Sequence, residues 1–320
     1  MGIADYALAM PSGKRSVDEV ARESGYGLDK LGQVLPSGKF SVLAEGETAW
    51  GLGRDAAARL LARSPVPLDE IGLVLYAGSS EWGTPFWSPA AKIAGELGIT
   101  QAHCYEVSNF CNAGMVAVKL ADDQVRAGTH PYALVIIADR LSELVEYGTG
   151  YLELFNFADG AAAVLLTADA AATRYEVLGG AHHTDPRWVD SYYGVIKDGR
   201  IKVERGGKQD GLGDAFLDNF TTLTHRVLAG IGAGAGVAEV AHFLVTHGNQ
   251  DTHRSYLAAL GVDASRSVFQ YERDGHLGGV DPLQALEELE REDRIDAGDL
   301  VIVATAGSGF TWGVTALRRT

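Results

Sequence analysis

The amino-acid sequence predicts an α/β fold, and three of its features support this prediction. Short apolar runs rich in Val, Ile and Leu alternate with longer segments in which apolar residues recur every three to four positions. Several of the longer segments close on a glycine, such as Gly128 and Gly261, as helices commonly do. The chain has 320 residues, of which 46% are hydrophobic, so it can bury a large core as one domain or as two fused halves.

Five apolar runs predict buried strands. In chain order they span residues 71–78, 132–139, 161–168, 242–248 and 299–309. Helical periodicity predicts helices between them, at residues 51–63, 114–128, 251–261 and 281–292. Because strands and helices alternate in this way, we expect covered, largely parallel sheets.

Three other stretches are interpreted as connections. Residues 179–213 mix histidines, tyrosines and glycines, which indicates a long loop with short strands over a site or an interface. The run AGIGAGAGVAE, at residues 229–239, matches a dinucleotide-binding loop only weakly, because no strand precedes it; a helix that ends in a flexible turn is the favoured interpretation. The basic stretch RGGK, at residues 205–208, is interpreted as a solvated loop.

Composition excludes several classes of function. The formal net charge of -15 argues against a surface for nucleic acid or anionic membrane, and no apolar run approaches the roughly 18 residues of a membrane span. Two cysteines cannot build a disulfide framework, and the start MGIADYALAMPSGKRS lacks the pattern of a signal peptide, so we expect a cytoplasmic protein. The pair His182 and His183 has no further ligand at metal-site spacing, so no metal is expected.

The two cysteines differ in their surroundings. Cys104 lies within an alternating, strand-like run and is interpreted as a packing residue. Cys111 lies where that strand gives way to a helix, and the free N–H groups and dipole of a helix start stabilise a thiolate. Gly114 permits another chain segment to approach closely. From these residues alone, a buried structural thiol and a nucleophile are equally good interpretations of Cys111.

A nucleophilic thiol needs a base, which is usually histidine. His247 ends an apolar strand, and α/β enzymes carry their chemistry at the carboxyl ends of strands. His276 lies in the glycine-flanked turn DGHLGG, just before the predicted helix 281–292. The alternative for each is a loop histidine that makes one structural hydrogen bond.

Five motifs together resemble one family. Cys111, FADGAAAVLL, VTHGNQDTHR, GHLGG and AGSGFTWGVTALRR occur in this order, from about residue 71 to the C-terminus. They are similar to C-x-G, FGDGAGAVVL, HQAN-x-R, GNTSAAS and GFGGGFTWG of the ketoacyl-acyl-carrier-protein synthase III family of thiolase-fold condensing enzymes. The resemblance implies a thiolase fold, with two similar α/β halves in a five-layered α-β-α-β-α arrangement. We expect an N-terminal half at residues 1–169 that carries the cysteine and a C-terminal half at residues 170–320 that carries the two histidines.

The resemblance also implies roles for four residues. Cys111 matches the cysteine that accepts the acyl group, and His247 matches the first active-site histidine. His276 falls where the family has asparagine, in a context similar to the second histidine of elongating ketoacyl synthases, which gives a Cys–His–His set. Ser308 matches a glycine whose backbone N–H joins that of the cysteine in an oxyanion hole, and serine keeps that N–H.

The implied reaction is transfer of an acyl group to Cys111, followed by decarboxylative condensation with a malonyl-type thioester. Two neutral imidazoles are expected to donate hydrogen bonds to the oxygen of the extender thioester. Because histidine also changes protonation, transfer of the acyl group to an alcohol or an amine is an alternative. A second alternative is a weakly active partner subunit of a condensing heterodimer, which retention of Cys111 and both histidines argues against. A papain-like hydrolase fits the α/β pattern poorly.

Substrates and partners follow from the same resemblance. The substrates are expected to be thioesters of acyl-carrier-protein phosphopantetheine or of coenzyme A, with no permanently bound cofactor. Tyr151 replaces an arginine of the family, the family's W-I-x-x-R-T-G-I stretch has no counterpart, and HGNQ displaces the asparagine of HQAN. The first two departures fall at positions that help hold the coenzyme A nucleotide in the family, which favours a carrier-protein-bound donor or an altered coenzyme A pose. Together the departures favour a member specialised for polyketide- or fatty-acid-like metabolism. A homodimer is expected, in which EWGTPFWSP (residues 81–89) reaches the partner's acyl tunnel or simply packs at the interface.

Overall fold

The computed structural model describes residues 1–207, 209–232 and 235–320. Lys208 of the basic stretch, and Ala233 and Gly234 of the glycine-rich run, lie outside the described residues. The strands are β1 (Gly2–Ala9), β2 (Gly13–Ser16), β3 (Lys39–Val42), β4 (Ile71–Gly78), β5 (His103–Ser108), β6 (Tyr132–Arg140), β7 (Asp159–Thr167), β8 (Tyr175–Thr184), β9 (Tyr192–Lys197), β10 (Arg200–Arg205), β11 (Val240–Val245), β12 (Leu300–Gly307) and β13 (Thr311–Arg319). The helices are α1 (Val17–Ser24), α2 (Leu28–Leu31), α3 (Ala49–Arg63), α4 (Pro89–Glu96), α5 (Ala113–Arg126), α6 (Leu212–Gly230), α7 (Gln250–Ala259) and α8 (Asp281–Arg291).

One mixed sheet runs through the described part of the chain. Its nine strands lie in the order β11-β12-β13-β8-β1-β7-β6-β4-β5. The two parts of the sheet meet at β1 and β8, which pair only at Gly2↔Glu176 and Ile3↔Tyr175. The sheet therefore consists of a five-strand part from the first half of the chain and a four-strand part from the second half.

The expectation of a largely parallel sheet is wrong. Strand pairs β4–β5, β4–β6 and β11–β12 are parallel, but the other five neighbouring pairs are antiparallel. Buried strands of both kinds read as continuous apolar runs when helices cover both faces, so composition alone does not reveal strand direction. The direction follows from the connections; for example, the short turn Ser308–Phe310 forces β13 to run back along β12.

Three hydrophobic cores arrange the helices in layers. Helices α5 and α8 pack between the two parts of the sheet, while α3 and α4 cover the outer face of the first part. Helices α6 and α7 cover the outer face of the second part. The order of layers is helix, sheet, helix, sheet, helix, so the expected five-layered fold class is confirmed. The expected boundary at residue 169 falls in the connection between β7 and β8.

Residues 179–213 contain the expected short strands and are more regular than the expected loop. The first part extends β8 to Thr184, and the rest contains an antiparallel hairpin of β9 and β10. The glycine-rich run begins within α6, whose last two residues are Ala229 and Gly230, in agreement with the interpretation as the end of a helix. Among the described residues, none of the helices combines the length and the apolar character that a membrane span requires.

Candidate active site

Cys111 sits on a tight turn between β5 and α5. The turn is a single 3-10 turn over Phe110–Asn112, and it requires a positive φ of 52° at Phe110. Asn112 secures it: its side-chain amide donates to Asn109 Oδ1 at 2.6 Å, and its Oδ1 accepts from the hydroxyl of Thr305 on β12. The thiol is therefore presented at the start of α5 from a turn that is tied to the other half of the sheet.

The start of α5 packs closely against the chain segment that follows His276. A Cβ atom at Gly114 would lie 2.9 Å from the carbonyl oxygen of Gly279, and a Cβ at Gly279 would lie 3.2 Å from the nitrogen of Gly114. Only glycine at both positions permits this approach. The close approach that the sequence predicts at Gly114 is present, and it brings His276 to the cysteine.

His276 contacts the thiol directly. Its Nε2 lies 3.2 Å from Cys111 Sγ, and the side chain is buried. The backbone of His276 is held on both sides, since its N–H donates to the carbonyl of Asn156 at 2.7 Å and its carbonyl accepts from Ala158 N–H at 2.9 Å. The imidazole therefore has little freedom to leave the sulfur.

Asp281 is the residue that sequence reasoning missed. It lies in the first turn of α8, fully buried, and its Oδ2 is 2.5 Å from Nδ1 of His276. The same oxygen accepts the backbone N–H of His247 at 2.6 Å, and Oδ1 accepts the N–H of Leu277 at 2.8 Å. An acidic residue beside a proline at a helix start signals only a helix N-terminus, so the sequence offered no separate sign of this contact.

The charges of this pair are coupled. Burial alone would lower the pKa of His276, but the Asp281 carboxylate and the Cys111 sulfur raise the pKa well above its usual 6.5. Burial alone would raise the pKa of Asp281, but His276 and His247 hold it below its usual 3.8. An ionised carboxylate is only an acceptor, so the proton between Asp281 and His276 belongs to Nδ1 of the histidine.

His247 follows β11 and lies on the other side of Asp281. Its Nδ1 is 3.7 Å from Asp281 Oδ1, which is an electrostatic contact and too long for a hydrogen bond. Both ring nitrogens are buried, and neither has a hydrogen-bond partner in the part of the chain that the structure describes. Asn156 supports the backbone here, because its amide donates to the carbonyls of His247 and Gly248. Asn249, which stands in for the displaced asparagine, instead caps α7 by accepting the N–H of Thr252.

Ser308 lies in the turn between β12 and β13. The preceding Gly307 packs on the cysteine turn, since a Cβ there would lie 2.1 Å from the carbonyl oxygen of Asn109. Ser308, Cys111 and His276 all line one cavity of about 380 Å³. The structure thus brings Cys111, His276 and Ser308 to a common space, and it places His247 between the cavity-lining residues Thr246 and Gly248.

The cavity has a mainly apolar, aromatic wall. Aromatic side chains from several elements contribute to it, namely Phe110, Phe157, Tyr192, Tyr193, Phe216 and Phe310. The hairpin of β9 and β10 and the helix α6 form one side, as expected for a segment over a site. Among the described residues, no three His, Cys, Asp or Glu side chains are grouped as a metal site would require. An apolar cavity that ends at a thiol suits a ligand with a hydrocarbon chain.

Solved structures share this fold. The 3-oxoacyl-[acyl-carrier-protein] synthase III of Aquifex aeolicus superposes with a TM-score of 0.86 and 20% identity, over 99% of each chain. A priming β-ketosynthase from a polyketide biosynthetic pathway has a TM-score of 0.87 and 19% identity, over 99% of this chain and 96% of the other. The fold is that of the thiolase-like condensing enzymes.

Sequence comparisons identify the family within that class. A model of 3-oxoacyl-[acyl-carrier-protein (ACP)] synthase III matches residues 105–186, and a model of the C-terminal part of the same family matches residues 228–319. The beta-ketoacyl-[acyl-carrier-protein] synthase III of Rhodospirillum centenum is 28% identical over 281 residues, 87% of this chain and 86% of that protein. The two matched regions make up more than half of the chain, which therefore belongs to the ketoacyl-acyl-carrier-protein synthase III-like family of condensing transferases.

Proposed function

We propose that Cys111 accepts an acyl group from a donor thioester. The protein then condenses this acyl group with a malonyl-type thioester, with loss of carbon dioxide. One observation carries the proposal: Cys111 Sγ and His276 Nε2 lie 3.2 Å apart at an apolar cavity. The family relatives support the reaction class, and the residues support the assignment of roles.

Acylation begins with the Cys111 thiolate and the His276 imidazolium. The sulfur attacks the carbonyl carbon of the donor thioester, and the bond from that carbon to the donor sulfur breaks. The departing thiolate takes the proton from His276 Nε2, which leaves an acyl-cysteine, a free donor thiol and a neutral histidine. The backbone N–H groups of Cys111 and Ser308 would hold the negative charge on the carbonyl oxygen.

Condensation then assigns different tasks to the two histidines. Neutral His276 keeps its proton on Nδ1, against Asp281, so its Nε2 has no proton to donate. Neither ring nitrogen of His247 has a hydrogen-bond partner among the described residues, so we take His247 as the better donor to the thioester oxygen of the extender. Loss of carbon dioxide leaves an enolate that attacks the acyl carbon and releases the Cys111 thiolate, and one proton from solvent restores the His276 imidazolium. This differs from the expectation that both imidazoles donate to the extender.

A carrier-protein phosphopantetheine thioester is the proposed donor, with a coenzyme A thioester as the alternative. Tyr151 stands at the position of a family arginine, and its hydroxyl donates a hydrogen bond to Glu204 at 2.9 Å. The guanidinium carbon of Arg205 lies 4.8 Å from the centre of the Tyr151 ring. This arrangement occupies the aromatic side chain with residues of β10. We assign the reaction to specialised, polyketide- or fatty-acid-like metabolism in the cytoplasm.

The contact with Asp281 favours a second candidate function. Once the cysteine is acylated, a neutral His276 with a bare Nε2 is a general base for an incoming alcohol or amine. Transfer to oxygen or nitrogen needs such a base, whereas condensation with a carbon nucleophile does not. The proton from the acceptor stays on His276 Nε2 and Cys111 leaves as the thiolate, which restores the starting ion pair. This reaction therefore releases no carbon dioxide and consumes no net proton.

The test follows the two half-reactions. Intact-mass spectrometry with a panel of acyl-carrier-protein and acyl-coenzyme A thioesters should show an acyl adduct on the wild type and none on Cys111→Ala. An adduct of equal yield on Cys111→Ala would contradict the assignment of the nucleophile. Addition of a malonyl thioester then separates the candidates: release of carbon dioxide with loss of the adduct supports condensation. Loss of the adduct only with an alcohol or amine supports the second candidate.

A further inference from the structure

We propose that Asp281 is a positioning residue that holds both histidines through one carboxylate and keeps Cys111 and His276 as an ion pair at neutral pH. The proposal deepens the proposed function, and its catalytic meaning rests on it. The family pattern that the sequence resembles provides no carboxylate for this purpose, and Asp281 itself does not reach the thiol.

The geometry gives Asp281 three hydrogen bonds. Oδ2 accepts from the ring of His276 and from the backbone of His247, and Oδ1 accepts from the backbone of Leu277. One carboxylate thus orients an imidazole through its ring and the other histidine through its main chain. If the carboxylate moved, both histidines would move with it.

Charge compensation explains why the carboxylate selects an ion pair. Asp281 is fully buried, and a buried charge is costly unless an opposite charge lies against it. The imidazolium of His276 is that charge, and it is in turn the partner of the Cys111 thiolate. The start of α8 adds a favourable helix dipole for the carboxylate. The order carboxylate–imidazolium–thiolate places alternating charges along one line of contacts.

Three further described residues near His276 bear on its charge or position, namely Phe157, Asp139 and Asp274. The ring of Phe157 packs on its face, at 5.5 Å between ring centres. The buried carboxyl of Asp139, at the end of β6, senses the charge of His276, and burial raises the pKa of Asp139 to about 7. Asp274, two residues earlier on the same loop, is bound instead to Lys14, Ser41 and Gln284. Asp281 is therefore the carboxylate that acts on the ring directly.

A double-mutant cycle tests the proposal without any acyl substrate. In a Cys104→Ser background Cys111 is the only thiol, because the chain has two cysteines. The rate of alkylation by iodoacetamide is measured from pH 5 to pH 10 for this background and for Asp281→Asn, His276→Asn and the double variant. We expect Asp281→Asn to slow alkylation roughly tenfold near pH 6 and to converge with the background near pH 10, as loss of a charged hydrogen bond predicts. We expect the double variant to behave as His276→Asn alone, because Asp281 acts through the histidine.

Two control variants exclude simpler explanations. Asp274→Asn removes a buried carboxylate from the same loop, and Asp139→Asn removes the other nearby carboxyl. In both variants the alkylation rate near pH 6 should stay within about twofold of the background rate. Thermal unfolding shows whether each variant is folded. The proposal is wrong if the alkylation rate of folded Asp281→Asn depends on pH as that of the background does. It is also wrong if Asp281→Asn slows alkylation by the same factor in the His276→Asn variant as in the background. Failure to form an acyl adduct would instead contradict only the proposed function, because alkylation does not depend on it.

Discussion

At the scale of single residues, the histidine at position 276 differs from the family asparagine in that it can carry a proton. Asparagine donates and accepts hydrogen bonds but stays neutral, whereas His276 can be charged and lies between a thiol and a buried carboxylate. The raised pKa of His276 keeps it charged through neutral pH, so its stabilising contribution is complete below about pH 6.5 and is lost as pH rises through the raised value. In the proposed mechanism His247 donates to the extender, since neither of its ring nitrogens has a hydrogen-bond partner among the described residues.

Substitution of His247 should therefore separate the two half-reactions. We expect His247→Ala to form the acyl adduct on Cys111 at a rate close to wild type, while carbon dioxide release from a malonyl thioester falls by about 10²-fold or more. His242→Gln is the control, because His242 bonds to the carbonyl of Arg294 away from the cavity. Equal loss of both half-reactions in His247→Ala would contradict this division of tasks.

Asp139 provides a second prediction, for stability. The carboxyl is fully buried, its Oδ2 has no hydrogen-bond partner in the described part of the chain, and burial raises its pKa to about 7. An acid with a raised pKa stabilises the folded state at low pH, and this contribution falls as pH rises from 3.8 towards 7. Between pH 5 and pH 8 the wild type should lose about 2–3 kcal/mol of unfolding free energy from this group.

Asp139→Asn should remove that loss. In denaturant unfolding, the free energy of unfolding of the variant relative to the wild type should be higher at pH 8 than at pH 5, because the amide cannot ionise. Asp159→Asn is not a neutral control, because the pKa of Asp159 is also raised by burial, to about 6. The exposed Asp69→Asn is suitable. A constant difference between Asp139→Asn and wild type at both pH values would show that the carboxyl does not titrate as described.

At the scale of elements, the site depends on how closely α5 approaches the turn Gly278–Val280. Gly114 and Gly279 let backbone meet backbone, and Ile137 on β6 fills the space beside them. This contact sets the distance between the cysteine at the start of α5 and the histidine two residues before the turn. A small displacement of either element would lengthen the sulfur-to-imidazole contact.

We expect Gly114→Ala to destabilise the fold by about 1–3 kcal/mol, because the new methyl group overpacks against backbone, and to slow acylation of Cys111. The added Cβ would lie 2.9 Å from the carbonyl of Gly279 and 3.0 Å from Ile137. Gly95→Ala in α4 is the matched control, since its Cβ would lie more than 4 Å from every atom considered among the described residues. This substitution should stabilise the helix slightly. Thermal unfolding and acyl-adduct formation measure both effects. A Gly114→Ala variant as stable and as active as Gly95→Ala would show that the contact between α5 and the turn can accommodate a methyl group.

At the scale of the whole molecule, the site joins both parts of the sheet. Cys111 comes from the first half of the chain, whereas His247, His276 and Ser308 come from the second. The expected division into residues 1–169 and 170–320 stays a prediction. Segment 81–89, expected at a dimer interface, presents one aromatic residue: Trp82 and Trp87 pack on Tyr76 and Trp50 of their own chain, while Phe86 is fully exposed.

The exposed Phe86 supports the prediction of a homodimer. Its φ of 53° is unfavourable for a side chain, so a contact with a second copy would offset both the strain and the exposure. We expect Phe86→Ser to weaken self-association at least tenfold in sedimentation velocity, in the range of a buried aromatic anchor. Leu28→Ser, which changes another exposed apolar residue, should not affect it. A monomeric wild type, or equal association of both variants, would contradict the prediction.

Strand and helix positions could be predicted wherever an apolar pattern was long and uninterrupted. Residues 71–78 coincide with β4, and residues 114–128 and 281–292 contain most of α5 and α8. The short elements β2, β3 and α2 could not be found in this way, because four residues carry too little periodicity. Strand direction was also beyond reach, since it depends on connections and not on composition.

For the candidate site, too, some features could be predicted from the sequence and others depend on the tertiary structure. The sequence by itself determined which residues had the right chemistry, because a cysteine at a helix start and histidines at a strand end and a glycine-rich turn are local features. Their separation was decided by tertiary contacts: the glycines of α5 and the turn before α8, and the hydrogen bonds of Asn156. Asp281 is the clearest case, because its role arises only when folding buries its carboxylate against two histidines from different segments. Burial and charge pairing depend on the distances between segments that are remote in the chain, and local sequence does not specify these distances.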